Sequence, residues 1–153
     1  MIEIKGNLWD QTDDILCITT NGTVKKNGCA VMGAGCAREA KVMFEGIDRK
    51  LGRTIERVGL NVSLLQSIDR DDMEGLQSIA AFPVKYNWYE DANLKLIEHS
   101  AYQLTSVMDM LPGRSAVVPR PGCGNGNLSW EDEVKPVLKF IWRNYDNIKV
   151  ITW

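Results

Sequence analysis

AVVPRPGCGNGNLSWED, residues 116–132, is the stretch from which the fold can be read. Ala116–Val118 is a short unbroken apolar run, as in a strand buried on both faces. Ser129, followed by acidic residues and then spaced apolar ones, reads as the start of a helix. Between strand and helix, Gly122, Gly124 and Gly126 alternate with Cys123, Asn125 and Asn127. Glycine costs stability unless the backbone takes unusual angles or comes close to something. A glycine loop at a helix N-terminus offers outward-pointing N–H groups and the positive end of the helix dipole, which together suit an anion.

A second junction of this kind lies earlier in the chain. Asp14–Thr19 predicts a buried strand, and NGTVKKNGCAVMGAG, residues 21–35, a long glycine-bearing loop. Loops of that length in compact domains are usually functional. Within it, VMGAGCA, residues 31–37, is a Gly-x-Gly turn running into a helix predicted over 35–44. Two such loops on one face suit a diphosphate held between two helix N-termini. The pattern is not a P-loop, because no Gly-Lys-Ser/Thr follows, and the GxGxxG spacing of a dinucleotide fingerprint is missing.

The remaining chain alternates strand and helix. Ile2–Lys5 reads as a short strand and 46–56 as a second helical piece. Val58–Leu65 and Leu76–Phe82 read as strands joined by the polar turn DRDDMEG. Asp91 is the expected cap of a helix whose stripe is Leu94, Ile97, Ala101, Leu104, Met108 and Leu111. Pro112-Gly113 stops it. In the last helix Asp132 holds the reciprocal capping position to Ser129, and Val134, Val137, Leu138, Ile141 and Tyr145 form the inner face. Pro136, past the first turn, predicts a kink or a 3₁₀ start. Ile148–Trp153 is the closing strand. The order favours a three-layer α/β domain with a mostly parallel sheet, in which ligands bind beyond the carboxyl ends of the strands. The loops at 21–35, 83–90 and 119–129 all leave predicted strands and are expected to converge there.

Bulk properties narrow the function. The 153 residues favour one domain. The net charge of −2, with no long basic run, argues against a stable complex with nucleic acid but not against a local contact. No apolar stretch is long enough to span a bilayer, and the N-terminus has no signal-peptide architecture, so a cytoplasmic protein without a membrane partner is expected. Cys17, Cys29, Cys36 and Cys123 form no CxxC pair or zinc spacing and read as reduced thiols. The lone histidine, His99, falls inside a predicted helix, which makes a metal centre or a Ser-His-Asp triad a poor fit. No metal and no cofactor are expected.

The ordered set GNLW, CITTN, VMGAGCA, FPVKYNW and VPRPGCGNGNLSWE resembles the macro domain family over nearly the whole chain. Two branches are most similar: the macro-domain antitoxin that removes ADP-ribose from thymidine in DNA, and the terminal ADP-ribose protein glycohydrolase. GCGNG-x-L-x-W with FP-x-K-x-x-W is the specific combination. The resemblance implies a single α/β/α macro domain over 1–153, with a mixed, mostly parallel central sheet and a cleft for ADP-ribose. It implies hydrolysis at C1″ of ADP-ribose attached to a DNA thymidine or an acidic protein side chain. A phosphatase acting on ADP-ribose 1″-phosphate and a module that only binds ADP-ribose or a related nucleotide are the alternatives. The expected partner is ADP-ribose, free or on DNA or protein, and the expected state is a monomer.

The resemblance also assigns residues. Lys85 matches the lysine on which both branches depend, attacking C1″ or polarising the scissile group. Asn7 stands where the family usually has an aspartate for the adenine amino group, and Leu8 is expected against the base. Asn21 matches the asparagine that meets the distal ribose. Met32, Gly33, Ala34, Gly35 and Cys36 are expected to line that ribose and the diphosphate. Gly122, Cys123, Gly124, Asn125, Gly126, Asn127 and Leu128 are expected to wrap the diphosphate. Trp88 is expected to pack against substrate, with a core position the alternative. Gly126 stands where the protein glycohydrolase has an aspartate that assists turnover and the antitoxin branch has glycine. About six extra residues around Thr23–Cys29 lengthen the first loop.

Overall fold

The computed structural model describes residues 1–153. Six strands form one sheet: β1 (Ile2–Lys5), β2 (Ile15–Thr20), β3 (Ser63–Asp69), β4 (Leu76–Pro83), β5 (Ala116–Pro119) and β6 (Ile148–Thr152), in spatial order β1-β6-β5-β2-β4-β3. All pairings are parallel except β3 with β4, which form an antiparallel hairpin at one edge. Helices α1 (Gly35–Met43) and α2 (Ile47–Val58) cover one face; α3 (Leu94–Asp109) and α4 (Lys135–Ile141) cover the other.

Period-2 alternation sends successive residues of the inner strands to opposite faces, and both faces are covered by helices, so the centres of these strands are apolar. On β2, Ile15 and Cys17 face the α3/α4 side while Leu16 and Ile18 face α1/α2. The same alternation places Ala80 and Phe82 of β4, Ala116 and Val118 of β5, and Ile148 and Val150 of β6 on the α3/α4 side. Ile79, Ala81, Val117 and Ile151 go to the other layer. A strand sandwiched between helices has no solvated face, so no polar alternation survives. Trp142 is fully buried on the α3/α4 side, and its Nε1 donates to the Ala101 carbonyl at 3.0 Å.

Several local expectations are corrected. Helix α2 runs to Val58 and β3 begins only at Ser63, so 58–62 is not strand. Helix α3 is capped by Asn93, whose Oδ1 accepts from Leu96 N at 3.0 Å. Asp91 instead accepts from Asn127 Nδ2 at 2.8 Å. Leu111 lies beyond the end of α3 and is exposed. Ser129 does cap the last helical segment, but Glu133, not Asp132, reaches back to Ser129 N, at 3.0 Å. The reason is that Trp130–Val134 forms a π turn, whose wider winding moves the reciprocal position one residue on. Pro136 then sits in the first turn of α4, where its missing N–H is not needed, and the turn that precedes it is π rather than the expected 3₁₀ start. Tyr145 lies past α4 and is half-buried against the core. No helix is long and apolar enough to cross a membrane.

Candidate active site

β2 is the topological switch point: β4 lies on one side of it, and the chain then crosses through α3 to β5 on the other. In sheets of this kind the segments leaving adjacent strands diverge and open a crevice at the carboxyl edge. Here the exits of β2 at Thr20, β4 at Pro83 and β5 at Pro119 open onto one cleft of about 940 Å³. The exits of β1 (Gly6, Leu8) and β6 (Ile151–Trp153) extend it at one end. The convergence expected of the three loops is therefore met.

The first loop is braced. Its hairpin closes with Lys25 N to Cys29 O at 2.8 Å and a Val24–Ala30 bridge. Ala30 N donates to Asp48 O at 2.9 Å, and the α2 residue Gly52 packs so tightly that a Cβ there would overlap the Gly28 carbonyl. Asn21 holds the same loop at both ends of its amide: Nδ2 donates to Val31 O at 2.9 Å and Oδ1 accepts from Thr23 N at 3.0 Å. One N–H and one lone pair remain for a ligand. Met32 is buried, while Gly33, Ala34 and Gly35 are exposed where α1 begins; all four line the cleft with Cys36.

The glycine loop sorts its glycines into two kinds. At Gly122, in the left-handed region at φ +73°, a Cβ would meet Ala92 Cβ and Ile97 Cδ1 at 2.8 Å. At Gly126 a Cβ would meet the Gly122 carbonyl oxygen at 2.5 Å and Ala92 Cβ at 2.7 Å. These two are glycine because the loop packs on itself, on Ala92 and on Ile97 at the start of α3. At Gly124 and Gly33 a Cβ would meet nothing within 4 Å, and both line the cleft. Those two keep space open rather than fill it. The two loops meet across the cleft, since a Cβ on Gly35 would touch Asn125 Nδ2 at 3.5 Å.

Lys85 follows β4 directly and lines the cleft. Its Nζ donates to the carbonyl of Asn125 at 3.0 Å and to that of Trp88 at 3.4 Å. The lysine thus ties the β4 exit to the glycine loop and sits where the two glycine loops face each other. Trp88 lines the same cleft and is 56% exposed, which removes the core alternative for it.

Three of the residues expected at the site do not line the cleft. Asn7 caps a 3₁₀ turn, Leu8–Asp10, its Oδ1 accepting from Trp9 N at 3.0 Å. Asn127, at φ +63°, is turned to Asp91, and Leu128 packs into the core beside Gly122. All three shape the rim instead. Other lining residues carry no local signal. Trp130 Nε1 donates to Glu3 Oε1 at 3.0 Å, and the Arg120 guanidinium lies over the Trp130 ring at 5.1 Å. Glu3 also pairs with Lys135 at 3.1 Å, and its carboxyl is held below the ordinary value: burial raises it, but the Lys135 and Trp130 hydrogen bonds and the nearby cations outweigh that. The residues of this network lie at opposite ends of the chain, so only the β1–β6–β5 pairing brings them together.

The cysteines near the site are poor nucleophiles. Burial pushes the Cys36 thiol up despite hydrogen bonds from Thr19, and pushes Cys123 up to about 11. No group of three His, Cys, Asp or Glu is placed to hold a metal ion. His99 lies exposed on α3, away from the cleft.

No family model matches this sequence. The curated DNA ADP-ribosyl glycohydrolase of Mycobacterium tuberculosis is 29% identical over 120 residues, 78% of this chain and 34% of that protein. Its Thermus aquaticus counterpart is 28% identical over 147 residues, 96% of this chain and 39% of that protein. This chain therefore spans little more than a third of the curated relatives it matches. Among solved structures, the macrodomain of M. tuberculosis DarG superposes with a TM-score of 0.76 at 25% identity, covering 98% of this chain and 94% of that one. Thermosipho africanus DarTG, solved in complex with ADP-ribose, has the same TM-score at 20% identity over 98% of this chain and 41% of that one, a likeness of fold. With its mixed sheet, two helical layers and cleft at the strand exits, the chain has the macrodomain fold and resembles the macrodomain of M. tuberculosis DarG.

Proposed function

We propose that this macrodomain binds ADP-ribose and hydrolyses it from a modified macromolecule at C1″, with thymidine in DNA as the substrate. The observation that carries this reading is the position of Lys85, whose Nζ bridges 3.0 Å to Asn125 O between two glycine loops inside the cleft. The diphosphate is assigned to the backbone around Gly33–Cys36 and Gly122–Gly126, where Gly33 and Gly124 leave room for it. The distal ribose then falls beside Asn21, with C1″ toward Lys85. The name shared by the curated relatives, DNA ADP-ribosyl glycohydrolase, supports DNA over a protein side chain.

The chemistry asked of Lys85 follows from its bonds. Held as a donor to two carbonyls, the ammonium is oriented to stabilise charge developing on the scissile group. Attack on C1″ by the amine would require it to leave both carbonyls and expose a lone pair. Gly126 supplies no carboxylate to assist, and its packing against Gly122 and Ala92 leaves no space for one. That favours the DNA-directed branch over the mechanism of the protein glycohydrolase. It also gives a second reading, a module that binds ADP-ribose without turnover, its specific footing.

The test is a side-by-side assay of thymidine-linked ADP-ribose in DNA, glutamate-linked ADP-ribose on protein and ADP-ribose 1″-phosphate, with wild type and Lys85→Ala. Lys85→Ala is expected to abolish release from the DNA substrate while ADP-ribose affinity stays within about tenfold, roughly 1.4 kcal/mol. Equal release by the two proteins removes Lys85 from the mechanism. Binding without release from any substrate leaves the reader.

A further inference from the structure

Beside the cleft mouth, Tyr86, Trp88 and Tyr89 are all large aromatic side chains left in solvent, at 52%, 56% and 69% exposure. Trp88 and Tyr89 stand edge to face at 5.8 Å and 90°, and more than half of each side chain stays exposed. This segment directly follows Lys85. It is joined to the lengthened first loop by Trp88 N to Thr23 Oγ1 and Gly22 N to Tyr86 O, both at 3.1 Å. The approach at Gly22 is close enough that a Cβ would meet the Tyr86 carbonyl at 2.6 Å. The loop carries Lys25 and Lys26 at its hairpin turn, both exposed, and Lys25 lines the cleft. Glu90 and Asp91, which follow the aromatics, accept from the neutral amides Asn87 Nδ2 at 2.6 Å and Asn127 Nδ2 at 2.8 Å and keep their charge, so the cations of the platform come from the first loop alone.

The geometry points to a platform for single-stranded nucleic acid, in which Trp88 and Tyr89 stack the bases flanking the modified nucleotide and Lys25 and Lys26 contact its phosphates. The inference rests on the proposed DNA substrate and adds how that substrate is held. Three observations favour it. Exposed aromatic faces take bases of any identity, and paired cations track a backbone. Both elements border the lysine end of the cleft, where the attached macromolecule must emerge. Finally, a base linked to C1″ inside the cleft cannot remain stacked in a duplex, so its neighbours need another stacking partner. The modest net charge of −2 fits a local contact rather than tight general binding.

The test uses the whole chain and two variants outside the cleft lining, Tyr89→Ala and Lys26→Glu, with Tyr89→Phe as the conservative control. Three measurements are made: anisotropy of a labelled single-stranded 15-mer of thymidine at two salt concentrations, kcat/KM on ADP-ribosylated thymidine inside such a 15-mer and as the lone nucleoside, and free ADP-ribose affinity. Expected is a five- to tenfold loss of 15-mer binding and of kcat/KM on the modified 15-mer for Tyr89→Ala and Lys26→Glu. Tyr89→Phe restores both, Lys26→Glu flattens the salt dependence, and the nucleoside and free ADP-ribose are unaffected within twofold. Unchanged 15-mer binding in both variants, or equal loss on 15-mer and nucleoside, overturns the platform. So does a wild type that binds the 15-mer no better than duplex of the same length, or that shows the effect only on an ADP-ribosylated peptide. Platform binding without release from any DNA substrate sinks the hydrolase reading alone.

Discussion

Substituting the glycines of 122–126 by alanine one at a time separates those that pack from those that make room. At Gly126 the added Cβ lies 2.5 Å from Gly122 O and 2.7 Å from both Gly122 Cα and Ala92 Cβ. All three are backbone or first side-chain atoms, which cannot swing aside. The loop must move, and that strains the Ala92 N to Gly126 O and Leu128 N to Gly122 O bonds, each 2.9 Å. Overpacking of this kind costs about 1–3 kcal/mol, so Gly126→Ala should lower Tm by roughly 3–9 °C at about 3 °C per kcal/mol. At Gly124 the methyl meets nothing within 4 Å. Gly124→Ala should hold stability within about 0.5 kcal/mol of wild type. It should nevertheless weaken ADP-ribose by roughly 5- to 150-fold, the same 1–3 kcal/mol now charged to the ligand's contact. Gly124→Glu adds a negative charge beside the diphosphate and should abolish measurable binding. Thermal unfolding and titration calorimetry on the same samples read both effects. A Gly126→Ala protein with wild-type Tm, or a Gly124→Ala protein with wild-type affinity, would refute the sorting and with it the placement of the diphosphate.

Two further outcomes follow from titration. The Glu3 carboxyl is depressed below its ordinary value of 4.5, so its contribution to stability is present above that pH and is lost as pH falls through the lower folded value. Glu3→Gln should therefore narrow the Tm gap between pH 7 and pH 3 relative to wild type, by a small amount because the carboxylate is partly solvated; an unchanged gap removes the Glu3–Lys135–Trp130 network from acid stability. Burial raises Cys17 to about 12, Cys123 to about 11 and Cys36 above its ordinary range. At pH 7.5 these three should react with a thiol reagent far more slowly than a free cysteine and at full rate only in denaturant; a fast thiol among them contradicts the burial.

The alternation of strand and helix and the two glycine loops were legible because each is written in contiguous residues, whereas Lys85 was singled out only by the family resemblance. The apolar runs of β2, β4 and β5, the alternation of β6 and the stripe of α3 need no knowledge of the rest of the chain. Boundaries were less legible. The shift from Asp91 to Asn93 as a cap, and from Asp132 to Glu133 as its reciprocal partner, depended on which side chain won a competition among several polar neighbours. Asn127 decided the first by taking Asp91, and the π turn decided the second.

By itself the sequence determined the layers, the strand-to-helix loops and where their glycines fall, since local periodicity and backbone preference act over a few residues. Tertiary structure alone decided what each of those glycines is for. Gly122 and Gly126 face Ala92 and Ile97, far away in the chain, whereas Gly124 faces open cleft. It alone brought Glu3 to Trp130 and Thr23 to Trp88, and set Lys85 against the Asn125 carbonyl. A contact between distant residues is a property of strand order, and strand order is settled only when the whole sheet closes over its two cores.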